Sequence, residues 1–142
     1  MAIKKDIMDF FQKHLGYTDG ERVLFEENPR NEMVLSRAVE LMNKTIIAEI
    51  VESKGCNSRH KVGDKIYFDG AGNLLSKMSP ARICIFALQP LAAQIFGLHE
   101  LFYAGIDNPK TAFNGCGCFD VGVQCGGWGH ICMEVRMENR KS

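Results

Sequence analysis

The chain has no excess of charge of either sign: 17 Lys and Arg stand against 17 Asp and Glu in 142 residues. Bulk composition therefore drives neither counterion release from nucleic acid nor attraction to an anionic bilayer, and either partner would need a local patch. Long apolar runs are also missing. The longest, Ile83 to Leu88, ends at Gln89 and Pro90, far short of the roughly 20 residues that cross a hydrocarbon core. Met1 to Phe10 carries Lys4, Lys5, Asp6 and Asp9 where a secretory signal needs unbroken apolar sequence, so the expectation is a cytoplasmic protein without a membrane span. No repeat or low-complexity stretch divides the chain.

What is present suits one folded domain. A composition of 46% hydrophobic and 24% charged residues is ordinary for a globular protein, and a chain of this length buries roughly two-thirds of its unfolded surface without disulfide help. Ile3, Ile7, Phe10, Phe11 and Leu15 recur at helical spacing, with Gly16 to end the helix. Thr18 to Glu21 has the form of a capping box for a short helix through Phe25 that stops near Pro29. Asn31 is a plausible N-cap for a third helix bearing Val34, Leu35, Ala38, Leu41 and Met42.

From Thr45 the period changes to two, with Ile46, Ala48 and Ile50 on one face, which predicts a strand. Val62 to Phe68 reads as a second strand closed by the turn Asp69-Gly70-Ala71-Gly72. Ser79-Pro80 reads as the start of a buried helix that Pro90 breaks or kinks before Tyr103. Thr111 to Phe119 and Ile131 to Met137 are further strands, the latter with Ile131, Met133, Val135 and Met137 on the core face and Cys132 turned away. The reading is a single α+β domain over 1–142: a helical segment over 1–43, then a core over 44–142 in which helices cover one face of a mainly antiparallel sheet.

Chemistry concentrates in cysteine. Four of the six lie in the segment from Cys116 to Cys132, which is equally dense in glycine. In a reducing compartment such a cluster points to metal or catalysis before disulfides. Glycines permit tight turns and leave amides free to reach sulfur. An extended chain at Cys116 and Cys118 would put both side chains on one face. Yet the spacing Cys-x-Cys-x6-Cys-x6-Cys matches neither the common zinc pairs nor the ferredoxin patterns. Cys56 and His60, four apart in the loop between the first two strands, could join them. The candidate metal ligands are Cys56, His60, Cys116, Cys118 and Cys125, for zinc or an iron–sulfur cluster. Cys84, between Ile83 and Ile85, reads as core.

Two other classes compete. Cys56 or Cys118 could be a nucleophile with His60 as base and Asp64 or Asp120 orienting it; this requires one thiol of unusual reactivity. Alternatively, Trp128 between two glycines and the apolar helix could form a surface for a partner protein or a second copy. His99-Glu100 lacks the second histidine of a zinc-protease helix. The basic residues from Lys54 to Lys65 lack interleaved aromatics, so a solvated loop outranks nucleic-acid binding.

The stretch Gly55-Cys56-Asn57-Ser58-Arg59-His60-Lys61-Val62-Gly63-Asp64, with Cys118-Phe119-Asp120 before the final strand, resembles a family of short uncharacterised prokaryotic proteins over about 46–137. That family has a Gly-x-Cys loop, a His-x-Val-Gly-Asp strand opening, a Cys-Pro before a buried helix and a late Cys-Pro-Asp. Ser79-Pro80 stands at the expected Cys-Pro, and Phe119 replaces the later proline. The resemblance implies a compact α+β fold and marks Cys56, His60, Cys118 and Asp120, without implying an activity. The leading expectation is a small accessory or subunit protein that holds a metal ion or iron–sulfur cluster through its cysteine- and glycine-rich C-terminal loop.

Overall fold

The computed structural model describes residues 3–107 and 112–141. Three helices, α1 (Lys5–Leu15), α2 (Asp19–Glu27) and α3 (Pro29–Leu41), precede strands β1 (Lys44–Lys54) and β2 (Lys65–Asp69). Helix α4 (Ile85–Tyr103), β3 (Gly115–Gly117), a 3-10 turn at Val123–Cys125 and β4 (His130–Asn139) complete the α+β fold.

The helical segment follows its local signals closely. Gly16 ends α1 in the left-handed conformation at φ 74°, where glycine has no Cβ to clash. Thr18 and Glu21 form both halves of the capping box on α2. Thr18→Ala removes that cap and should lower stability by about 1 kcal/mol, read as a fall in the urea midpoint with an unchanged slope; no shift would show that α2 adds nothing to the cooperative fold. The third helix starts earlier than expected. Asn28, not Asn31, caps it by accepting the Arg30 N–H at 3.1 Å, and Pro29 takes the first helical position, where its missing donor is not needed. Asn31 instead donates to the Phe25 carbonyl at 2.9 Å.

The sheet is antiparallel throughout, in the order β2-β1-β4-β3. Ile46 lies opposite Phe68 and Met137, and Ala48 opposite Ile66 and Val135. This register gathers the β-branched residues of three strands on one face. There α4 contributes Ala87, Leu91, Ile95 and Leu98 to the same buried core, so period two on the strands meets period 3.6 on the helix. The final strand has its apolar residues on the core face as expected. The second strand is shorter than expected, because Val62 and Gly63 belong to a turn in which Gly63, at φ 94°, donates to the Ile50 carbonyl. Of the strand expected over 111–119, only Gly115–Gly117 forms; Thr111 lies outside the described residues.

The start of the long helix is a correction. The Ser79 hydroxyl accepts the Tyr67 N–H at 2.9 Å and lies 2.9 Å from the Leu75 carbonyl, so it serves edge strand β2 and caps no helix. The helix opens at Ile85, with Cys84 as its N-cap. Pro90 lies inside one continuous helix instead of dividing two pieces. Its ring lacks the N–H that would bond the Phe86 carbonyl, and that carbonyl accepts the Phe119 N–H at 3.0 Å. The proline thus leaves an acceptor that ties the segment around Cys118 to the first turn of α4. At 19 residues with mean hydropathy 1.2, α4 is long and apolar enough to cross a bilayer by length and composition; Gln89 and Pro90 interrupt its apolar run without adding charge. Here one of its faces packs on the sheet.

Candidate functional site

Glycines position the site through close backbone approach. Gly55 has φ 64°, and a Cβ there would meet the Trp128 carbonyl at 3.2 Å. A Cβ on Gly129 would run into the Gly55 carbonyl group. The β1–β2 loop and the segment leading into β4 therefore touch backbone to backbone, which only glycine permits. Asp120 holds the second of these segments in shape. Its carboxylate accepts N–H groups from Gly122 at 3.0 Å, Trp128 at 3.1 Å and Gly129 at 3.0 Å. Those donors, Gly129 foremost and then Gly122, hold its carboxyl below the usual aspartate range. A Cβ on Gly127 would collide with this carboxylate.

Where the two loops meet the N-terminus of α4 there is a cavity of about 330 Å³. Cys56, His60, Cys84, Cys118 and His130 all line it. His60 is buried, the one polar side chain that is so among the described residues. Its Nε2 accepts the Cys84 N–H at 3.1 Å, while its carbonyl receives the Ser53 hydroxyl. The Cys118 sulfur takes the Ile131 N–H at 3.4 Å and lies 3.5 Å from His130 Nδ1. That same ring nitrogen makes a short contact with the Asp120 carbonyl. The His130 ring packs on Gly117, where a Cβ would come within 2.7 Å of it. All six cysteines are free thiols.

Three cysteines from three separate segments and two histidines thus line one small chamber, with the Ile131 amide directed at the Cys118 sulfur. Comparison with protein-family models, curated proteins and solved structures finds no match for this chain.

The expected ligand set is only partly assembled. Cys56, His60 and Cys118 line the chamber, whereas Cys116 and Cys125 do not. Cys116 lies opposite Met133 and packs against the hydrophobic core. Like Cys118 it is partly buried against that core. Burial, with a smaller effect from Cys132, pushes its thiol up to about 11. Cys125 is exposed on the 3-10 turn. Among the described residues, no three His, Cys, Asp or Glu side chains converge closely enough to hold a single metal ion as they stand.

The nucleophile–base pairing is also altered. No hydrogen bond joins Cys56 to His60 among the described residues, and the Asp64 carboxylate accepts the Lys61 N–H within its own turn. Asp120 is occupied by amides. The imidazole beside a thiol is His130, next to Cys118. Trp128 is 77% exposed, so it is no packing anchor. Cys132 faces away from the core, as expected, and its thiol is raised first by burial and then by Glu52 across the strand pair.

Sequence reasoning missed Cys84 and His130. The signal for Cys84 was Pro90: a helix beginning near Ala81 places that proline deep in its interior, whereas one opening at Ile85 keeps it near the first turn. His130 gave no comparable signal, because its place depends on a ring packing over Gly117.

Cys116 gives a direct test of this environment. A thiol with a pKa of about 11 is thiolate in about one molecule in a thousand at pH 8. Iodoacetamide at pH 8, followed by mass mapping, should label exposed Cys125 at least about 100-fold faster than Cys116. Comparable rates would show that Cys116 is not buried.

Proposed function

We propose that this protein holds a thiophilic metal centre in the chamber between the β1–β2 loop, the α4 N-terminus and the loop before β4, with Cys56, Cys84 and Cys118 as its sulfur ligands. The observation that supports this reading is that cysteines from three distant segments line one cavity. The donor set is soft and suits iron–sulfur or zinc chemistry. The Ile131 N–H on the Cys118 sulfur is the kind of contact that stabilises a bound thiolate. The first turn of α4 opens on the chamber at Cys84 and Phe86, and the positive end of a helix favours anionic groups.

A cluster suits the chamber better than a lone zinc ion. A structural zinc site is closed tightly around one ion, whereas here about 330 Å³ separates donors that do not meet at a point. His60 would be a fourth ligand only if Nε2 gave up the Cys84 N–H, so its nearer role is to fix the backbone that carries Cys84. Cys84 is the N-cap of α4, and in the family this sequence resembles a Cys-Pro precedes a helix. Exposed Phe86, Phe119, Val121, Val123 and Trp128 gather around this part of the molecule, and a partner covering them fits an accessory or subunit role.

The deciding measurement is an absorption spectrum of anaerobically purified protein with iron, zinc and acid-labile sulfide determination. A stoichiometric cluster or metal is the expected result. Protein without either, even after anaerobic reconstitution with iron and sulfide, would overturn the reading. A second reading, thiol catalysis, rests on His130 beside Cys118; it requires Cys118 to alkylate far faster than every other cysteine in metal-free protein.

A further inference from the structure

The face of the sheet turned away from α4 carries a separate cavity of about 730 Å³, which shares no residue with the cysteine chamber. Because Ile46, Ala48 and Ile50 point into the core, alternation turns Thr45, Ile47 and Glu49 to this second face. The register sets Ile47 between Tyr67 on β2 and Arg136 on β4. Ile47 and Tyr67 line the cavity with Met42, Leu75 and Met78. Its volume lies within the roughly 300–1,000 Å³ usual for small-molecule sites.

Charge is unevenly placed around it. Lys65 and Arg136 share Glu49, at 3.8 and 3.1 Å. Of the two lining carboxylates, Glu138 takes the Arg136 Nε at 2.7 Å. Asp69 is occupied by the N–H groups of Ala71 and Asn73. Three cations remain where β1 begins and β4 ends. Lys44 reaches only the Asn139 side-chain oxygen, at 2.8 Å, and Arg140 and Lys141 make no ion pair among the described residues. In a chain of formal charge zero, this local excess lies at one end of a cavity of mixed polar and apolar lining, with Ile47, Tyr67, Met42, Leu75 and Met78 as its apolar part.

We propose that this cavity binds a small organic anion with a flat apolar body, the anionic group at Lys44, Arg140 and Lys141 and the body against Ile47 and Tyr67. A phosphate monoester and a carboxylate present the same chemistry to these cations, so the test uses both. Calorimetric titration of the full chain with 1-naphthyl phosphate and 1-naphthoate should give saturable binding, the tighter of the two identifying the head group. 1-Naphthol, which lacks the anion, and inorganic phosphate, which lacks the body, should each bind at least about tenfold more weakly. The R140E/K141E double variant and Tyr67→Ala, both checked for native circular dichroism, should each weaken binding at least about tenfold. Raising salt should weaken it as well. Failure of both naphthyl anions to saturate below about 1 mM would overturn the proposal. So would equal binding of 1-naphthol, or unchanged affinity in the charge-reversed variant.

Discussion

Serine at Cys56, Cys84 or Cys118, introduced singly, is expected to abolish stoichiometric metal or cluster loading, whereas Cys125→Ser and Cys116→Ser load as the unchanged protein does. The contrast follows from placement. The first three cysteines line one chamber, Cys125 is exposed on a turn, and Cys116 packs against the core outside the chamber lining. A serine hydroxyl is a hard, protonated oxygen near neutral pH, and replacing one of three soft thiolates removes a direct bond to the metal. Loss of a hydrogen-bonding partner around a metal site already costs roughly 10–100-fold in affinity, so loss of a ligand should exceed that. Circular dichroism and the urea midpoint establish that each variant folds. The sequence alone would have put Cys116 and Cys125 in the ligand set in place of Cys84. Loss of loading in Cys125→Ser with retention in Cys84→Ser would therefore restore the C-terminal loop as the site and sink the chamber.

The same contrast shows what was legible in the residues and why the rest was not. Local signals read well. The Gly16 stop, the Thr18 capping box and the alternation that turns Ile131, Met133 and Val135 inward depend on near neighbours, and all are found. Errors arose where a side chain is claimed by a distant segment. Ser79-Pro80 has the form of a helix start, yet the Ser79 hydroxyl accepts from Tyr67, twelve positions away. Asn31 has the form of a cap, yet its amide is taken by Phe25. The dense glycine of the C-terminal segment was read as backbone freedom around sulfur. In the fold, Gly127 makes room for the Asp120 carboxylate and Gly129 for the backbone of Gly55. Cys56, His60, Cys118 and Asp120, the positions marked by the family resemblance, all line the chamber. Cys84 was hidden inside an apolar run where cysteine is indistinguishable from a small core residue.

Gly129→Ala is expected to damage both stability and metal loading, and Gly126→Ala to leave loading intact. A Cβ at position 129 would overlap the carbonyl group of Gly55 and approach the Lys54 carbonyl at 2.8 Å. These are backbone atoms at the end of β1, with no flexible side chain to move aside. Overpacking of this kind costs about 3 kcal/mol, the upper part of its usual range. Because the collision lies between the loop carrying Cys56 and the segment carrying Cys118 and His130, relief requires those two segments to part, which opens the chamber. Gly126 is a different case. It has φ 88° but nothing within 4 Å of an added Cβ, so alanine there meets only left-handed backbone strain of roughly 1–2 kcal/mol. Urea denaturation of both variants separates the two costs, and metal content per chain separates their consequences. If Gly129→Ala lost stability yet loaded metal like the unchanged protein, the contact between the two loops would be structural only, and the sulfurs would not depend on it to meet.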